Sequence, residues 1–193
     1  MLTRLPSILL LMSFSGLAHA HAVGGLAGGF TTGLLHPVLG LDHVVAMVAV
    51  GLWGAFLGNP AIWLLPVVFP LVMTFGGVLG ILGVPLPAVE TGIALSAVVI
   101  GGLVAAASRP PLILAALIVA VFAIFHGYAH GTELPASADP LAFSLGFVIS
   151  TGLLHLGGVA LGLLARWRSG RIAVRAGGGL IALLGMLFLA RVL

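Results

Sequence analysis

Two short polar stretches in an otherwise apolar chain hold the residue types that bind transition metals. Residues 36–43 contain two imidazoles and a carboxylate, and residues 125–133 add two more imidazoles and a second carboxylate about ninety residues later. An ionisable group at the centre of a membrane helix costs roughly 2.5–3.5 kcal/mol on insertion scales, so its presence indicates a function. We therefore predict a divalent metal site with six candidate ligands, which are His36, Asp42, His43, His126, His130 and Glu133.

The spacing within the second stretch is that of one helix face. His126, His130 and Glu133 are spaced i, i+4, i+7, so they form a single stripe if the helix runs through Glu133. Imidazole and carboxylate together suit Ni, Co, Zn, Cu or Fe, whereas Mg and Ca prefer more oxygen ligands. The chain has no cysteine, which excludes thiolate metal sites and disulfides.

In the first stretch, Pro37 favours the first turn of a helix, where its missing N–H costs nothing. We expect His36 near the N-cap of that helix and His43 about one and a half turns in, so that the two imidazoles face the same way. Gly40 leaves space between them for a ligand or a close helix.

Four further residues are weaker candidates for the metal site or its pathway. His155 lies deep in a later apolar run, where a hydrogen-bonded core histidine and a metal ligand are equally good interpretations. Glu90 is more simply interpreted as a residue at the start of a helix. Met47 lies four residues after His43, so its thioether could face the same site, but it is more simply interpreted as part of the core packing. His21 would become the N-terminus after signal cleavage and could chelate a metal with its amine, although an incidental histidine is the simpler interpretation.

The composition predicts an integral membrane protein, since 61% of residues are hydrophobic and 6% are charged. A chain of 193 residues has room for about six spans and for no separate soluble domain. The predicted fold class is an all-α polytopic membrane helix bundle. Its partner is the lipid bilayer and not nucleic acid, because the arginines sit mostly in short loops, where they orient the chain.

Residues 1–20 have the pattern of a cleavable signal peptide, with a short basic start, an apolar run and Ala-His-Ala before the cleavage point. Residues 21–193 are then a single transmembrane domain. Its predicted spans are separated by prolines and arginines, and cover about 38–57, 61–83, 86–107, 110–130, 140–165 and 172–190.

The glycine-rich residues 22–35 are too short to span the bilayer alone. A cleaved signal peptide leaves the new N-terminus outside, and six spans then put the arginine-rich loops on the cytoplasmic side, where positive charge is normally found. We therefore predict that residues 22–35 form a re-entrant or interfacial element. In this topology both histidine stretches and all four acidic residues lie near the outer face, and Arg191 is the one charge that does not fit.

Three segments resemble the motifs of a known family. Residues 36–43 match H-P-x-x-G-x-D-H, residues 125–133 match F-H-G-x-A-H-G-x-E, and residues 146–155 match G-F…T-x-x-L-H. The chain resembles the HupE/UreJ family of hydrogenase and urease accessory proteins over nearly its whole length. This resemblance implies a permease of a bacterial inner membrane that moves nickel, or cobalt in some members, for metalloenzyme assembly.

The function that this resemblance implies is transport of Ni²⁺, with Co²⁺ as the second candidate, and not catalysis. The sequence has no nucleotide-binding loop, so we expect secondary transport without ATP and without a resident cofactor. A homo-oligomer is left open. One alternative is an intramembrane zinc hydrolase, although no H-E-x-x-H is present. The other is a metal-binding scaffold or sensor without transport.

Overall fold

The computed structural model describes residues 26–134 and 138–193, so the predicted signal peptide and His21 lie outside the described residues. The described chain folds into seven α helices and one short 3-10 turn, Leu163–Arg166. The helices are α1 Leu26–Leu39, α2 Leu41–Leu57, α3 Ala61–Ile81, α4 Val89–Ala105, α5 Leu112–Thr132, α6 Pro140–Gly162 and α7 Arg168–Val192.

Prolines and polar caps set several of the helix ends. Pro60 and Pro111 precede α3 and α5, and Pro140 occupies the first turn of α6, where a proline costs no helical hydrogen bond. The Asp139 carboxylate accepts a hydrogen bond of 2.7 Å from the Ala142 N–H and so caps α6. These local signals explain why the loops predicted from prolines fall between helices.

Glycines allow the helices to pack closely. α3 packs along α5, α4 along α7, and α6 against both α1 and α2. A Cβ atom on Gly127 of α5 would overlap the Met73 backbone of α3, and one on Gly51 of α2 would overlap the His155 backbone of α6. Small residues at helix crossings are typical of membrane bundles, where close backbone approach supplies much of the packing.

The bundle has the apolar outer surface that a bilayer requires. Large side chains such as Leu71, Leu117 and Leu180 are more than half exposed, and each of the six predicted spans coincides with one of α2 to α7. Among the described residues, four helices are long and apolar enough to cross a membrane, or five if α1 and α2 form one broken span, whereas α4 has 17 residues. The prediction of an all-α polytopic bundle is confirmed.

The first polar stretch contains the end of α1, a break at Gly40 and the start of α2, and so does not lie within the start of a single helix. α1 and α2 are bent by 82°, and Gly40 between them has extended backbone angles. The expectation that Pro37 begins a helix was wrong, because Pro37 lies inside α1 and close to its C-terminal end. α1 packs tightly on α6, where a Cβ atom on Gly33 would overlap the Phe143 backbone.

The alternating helix directions separate most of the charges between the two ends of the bundle, with Arg191 in the last turn of α7 as the exception. We call the end formed by the starts of α2, α4 and α6 the carboxylate end, because it carries Asp42, Glu90, Glu133 and Asp139. The opposite end is the arginine end, with Arg109, Arg166, Arg168 and Arg171.

Candidate metal centre

Three of the predicted ligands meet at the carboxylate end. His36 comes from the last turn of α1, His130 from the last turn of α5, and Glu133 directly follows α5. The His36 Nε2 lies 2.9 Å from the Glu133 Oε2, and the His130 Nδ1 lies 3.7 Å from the same oxygen. One donor atom from each residue lies within 4.8 Å of the others, which is compact enough to hold a metal ion. We call these three residues the outer group.

The outer group is open to water on one side. The Glu133 side chain is 50% exposed and the His36 side chain 25%, whereas the His130 side chain is 7% exposed. The neighbouring imidazoles of His130 and His36 hold the pKa of Glu133 well below its usual range. Glu133 is therefore an anion across the physiological pH range.

Asp42 and His43 form a second element of the site at the start of α2. The Asp42 Oδ1 accepts hydrogen bonds from both the ring Nδ1 and the backbone N–H of His43, each at 2.9 Å. Because Nδ1 carries the proton, the neutral ring leaves its Nε2 lone pair free. That Nε2 is buried without a hydrogen-bond partner among the described residues.

His126 has the same arrangement one turn below His130. Its Nδ1–H donates to the Phe122 carbonyl at 2.9 Å, so in the neutral ring Nε2 is again the free nitrogen. His126 is fully buried and its Nε2 has no partner within residues 26–134 and 138–193. We call His43 and His126 the inner pair. A buried imidazole nitrogen without a partner is costly in a packed interior and calls for an explanation, such as a bound ion.

His130 connects the outer group to the inner pair. Its ring centroid lies 4.9 Å from that of His36 and 4.5 Å from that of His43, and the His43 and His126 centroids are 5.3 Å apart. Both His130 nitrogens are buried without hydrogen bonds in the described part of the chain. The four imidazoles thus form a continuous series from the partly exposed His36 to the fully buried His126.

Phe69 of α3 extends this series, and the sequence analysis missed it. Its ring is in edge contact with His126 and with His155, at centroid distances of 5.3 and 5.2 Å. The signal that could have identified it is the pair of prolines in the same apolar run, Pro66 and Pro70. Pro70 has no N–H, so the Pro66 carbonyl has no helical partner, and this carbonyl lies close enough to His155 to interact electrostatically.

His155 lies beyond the inner pair, on α6. It is 1% exposed, and neither of its ring nitrogens forms a hydrogen bond of normal geometry with a described residue. One helical turn away, the hydroxyl of Thr151 is also buried without a partner among these residues. His155 is therefore separate from the outer group but connected to the inner pair through Phe69.

The structure does not bring the other two described candidates into the site. Met47 is fully buried within the apolar core. Glu90 is exposed in the first turn of α4, where a negative charge interacts favourably with the helix N-terminus. Its carboxylate has no hydrogen bond or ion pair with another described residue.

Comparison with known proteins identifies the family. Residues 9–188 match the model of the family described as HupE / UreJ protein. The chain is 43% identical over 183 residues to Protein HupE of Rhizobium leguminosarum bv. viciae, and this alignment covers 95% of each chain. No solved structure matches significantly. The chain is a multi-pass membrane protein that belongs to the HupE/UreJ family.

Proposed function

We propose that this protein is a secondary permease that carries a divalent transition-metal ion, Ni²⁺ first and Co²⁺ second, into the cell. Its place would be the inner membrane of a bacterium, and the ion would serve the maturation of hydrogenase or urease. Membership of the HupE/UreJ family supports the general role of a metal permease. The histidines and carboxylates at the carboxylate end support the choice of the ion and of its site.

The observation that carries the proposal is the outer group. His36, His130 and Glu133 offer two nitrogens and one oxygen within 4.8 Å, a donor set that suits Ni²⁺ and Co²⁺. The exposure of Glu133 leaves room for the ion to keep part of its water shell. Few protein ligands and retained water favour release, which a transported ion requires and a closed tetrahedral cage would prevent.

The charge distribution favours movement of a cation from the carboxylate end toward the arginine end. Positively charged loops are normally cytoplasmic, so the outer group would face the outside. The membrane potential, negative inside, contributes roughly 2.3 kcal/mol per elementary charge for every 100 mV. A divalent ion can therefore be drawn inward without ATP.

The histidine series supplies the next step. In this proposal His130 passes the ion from the outer group to the inner pair, and Asp42 keeps the Nε2 of His43 directed to the ion. An ion that continued toward His155 would then move past Phe69, which contacts both His126 and His155.

The test is uptake of radioactive nickel into proteoliposomes, with nickel binding to the purified protein measured in parallel. We expect His130→Ala to reduce both by at least about tenfold, because His130 belongs to the outer group and contacts the inner pair. Tyr128→Phe is the matched control, since it changes a ring on the same helix without removing a donor of the site, and both measurements should stay at the wild-type value.

The alternatives give different results. Nickel binding without uptake by the wild-type protein would favour a scaffold or sensor. Zinc-dependent hydrolysis that is lost in His130→Ala would favour the intramembrane hydrolase. Uptake by His130→Ala equal to that of the wild type would refute the proposed site.

A further inference from the structure

A polar cleft lies at the arginine end, at the opposite end of the bundle from the outer group. It has a volume of about 270 Å³ and is formed by the end of α2, the turn into α3, the loop between α4 and α5, and the end of α6. Its polar lining residues are Asn59, Arg109 and Arg166. None of these residues takes part in the metal site.

The cleft carries positive charge without compensation. Neither the Arg109 nor the Arg166 guanidinium group forms a hydrogen bond or an ion pair within the described ranges, residues 26–134 and 138–193. The four carboxylates of the chain all lie at the other end of the bundle. Two guanidinium groups and an amide, with no carboxylate beside them, can donate hydrogen bonds to the oxygens of a phosphate group. Arginine binds phosphate through paired N–H donors.

Capping of helix C-termini, the usual alternative role for such arginines, is seen elsewhere in the same bundle. The Nε of Arg175 donates to the Ala105 carbonyl at 2.9 Å and so caps the C-terminal end of α4. Arg109 and Arg166 make no such bond among the described residues. Their donors remain available to a ligand.

Arg109 is also held in place at the wall of the cleft. Its guanidinium lies over the Phe56 ring at 5.1 Å from the centroid, a cation–π contact that fixes the group without using its N–H donors. Beside it, Gly58 has a φ of +87°, and no atom lies within 4 Å of the position that a Cβ would take. The turn therefore leaves the cleft open.

The depth of the cleft indicates which phosphate it meets. Trp63 in the first turn of α3 and Trp167 just before α7 are 62% and 61% exposed at this same end. Exposed tryptophans concentrate at the level of the lipid headgroups. The arginine loops indicate the cytoplasmic side, whose leaflet carries anionic lipids.

We propose that this cleft binds the headgroup phosphate of an anionic phospholipid. Arg109 and Arg166 neutralise the phosphate, Asn59 adds a hydrogen bond, and the acyl chains follow the apolar surface of the bundle. The bound lipid would join the ends of α2, α3 and α6 at the arginine end.

The proposal is tested on the full chain, purified in a zwitterionic detergent. The thermal unfolding midpoint is measured with added phosphatidylglycerol, with phosphatidylcholine, and with millimolar inorganic phosphate. We expect phosphatidylglycerol to raise the unfolding midpoint of the wild type by about 2–4 °C more than either of the other two additions does. The Arg109→Gln/Arg166→Gln double variant should lose most of this shift.

Arg168→Gln is the matched control, because Arg168 is exposed at the same end but does not line the cleft. It should keep the wild-type shift. Arg166→Gln alone leaves the Arg109 contact with Phe56 intact, so it should lose part of the shift even if the double variant folds poorly. An undiminished shift in both cleft variants would overturn the proposal. A shift with inorganic phosphate as large as that with the lipid would overturn the assignment to a lipid and favour a soluble anion.

Discussion

Replacement of Glu133 by glutamine is the sharpest single test of the outer group. The change removes one negative charge and nearly preserves the shape of the side chain. The amide oxygen of glutamine can still accept a hydrogen bond from the His36 Nε2, which lies 2.9 Å from the carboxylate in the wild type. The variant therefore isolates the role of Glu133 as a charged metal ligand from its role in holding α1 next to α5.

The size of the effect is bounded by the exposure of the carboxylate. Glu133 is one of three residues in the outer group, so its loss removes a major part of the donor set. Its side chain is half exposed, however, so a water molecule can take the vacant position on the ion. We expect a 10–100-fold rise in the apparent KM for nickel, equivalent to about 1.4–2.7 kcal/mol of binding free energy.

The assay is nickel uptake into proteoliposomes across a range of external nickel concentrations. The maximal rate should change much less than the apparent KM, since the inner pair is intact. Asp139→Asn is the matched control: it removes a carboxylate at the same end of the bundle, and asparagine can keep the cap on the Ala142 N–H. Its apparent KM should stay within about threefold of the wild-type value, because an exposed charge interacts only weakly with the ion.

Two results would refute this reasoning. An unchanged apparent KM in Glu133→Gln would show that the carboxylate is not a ligand in the transport cycle. An equal rise in Asp139→Asn would show that the negative charge of the whole surface matters, and that the geometry of the outer group does not.

Three further predictions concern the path, the protonation of the site and the helix packing. His126→Ala should reduce nickel uptake by about tenfold or more, whereas nickel binding to the purified protein should change by less than about threefold because the outer group is intact. Equal losses of uptake and of binding would contradict the separation of the outer group from the inner pair. Nickel binding, followed by equilibrium dialysis, should fall as the pH is lowered from about 7 to about 5. The low pKa of Glu133 keeps its carboxylate charged in this window, so the loss reports competition between protons and nickel for the imidazole nitrogens. Because the carboxylate also favours the protonated form of the imidazoles beside it, Glu133→Gln should move the midpoint to lower pH. Gly51→Ala should lower the thermal unfolding midpoint by several degrees, because its Cβ would overlap the α6 backbone. Gly152→Ala is the control: its Cβ would enter open space, so the midpoint should stay the same or rise slightly. Equal midpoints in the two variants would contradict the importance of this close helix contact.

The sequence was sufficient to predict the bundle and to select the residues of the candidate site. Apolar runs of membrane-spanning length, separated by prolines, predicted the helices, because a lipid-exposed backbone must satisfy its own hydrogen bonds. The cost of placing His36, His43, His126 and His130 in an apolar chain selected them as functional candidates. Both arguments depend on local composition and therefore need no knowledge of the tertiary contacts.

The internal organisation of the site could not be predicted in the same way. Spacing along the chain cannot tell that Asp42 bonds His43 while Glu133 lies against His36 and His130, since the second contact joins residues 97 positions apart. Phe69 was overlooked because a phenylalanine in an apolar run carries no chemical signal of its own, and the only signal came from the neighbouring Pro66 and Pro70. The break after α1 was overlooked because Pro37 fits a helix start locally, and only the packing of α1 on α6 reveals the longer helix.

The bend at Gly40 has a consequence for acid–base chemistry that goes beyond the path of the backbone. With φ of −96° and ψ of 110°, this position could hold any residue without strain. A methyl group there would nevertheless come within 2.9 Å of the His43 Nδ1 and 3.0 Å of the Asp42 Oδ1. An alanine at position 40 would therefore push apart the pair that keeps the proton on Nδ1 and would free the ring to change tautomer. A residue without a side chain thus helps to decide which nitrogen of a neighbouring histidine carries its hydrogen.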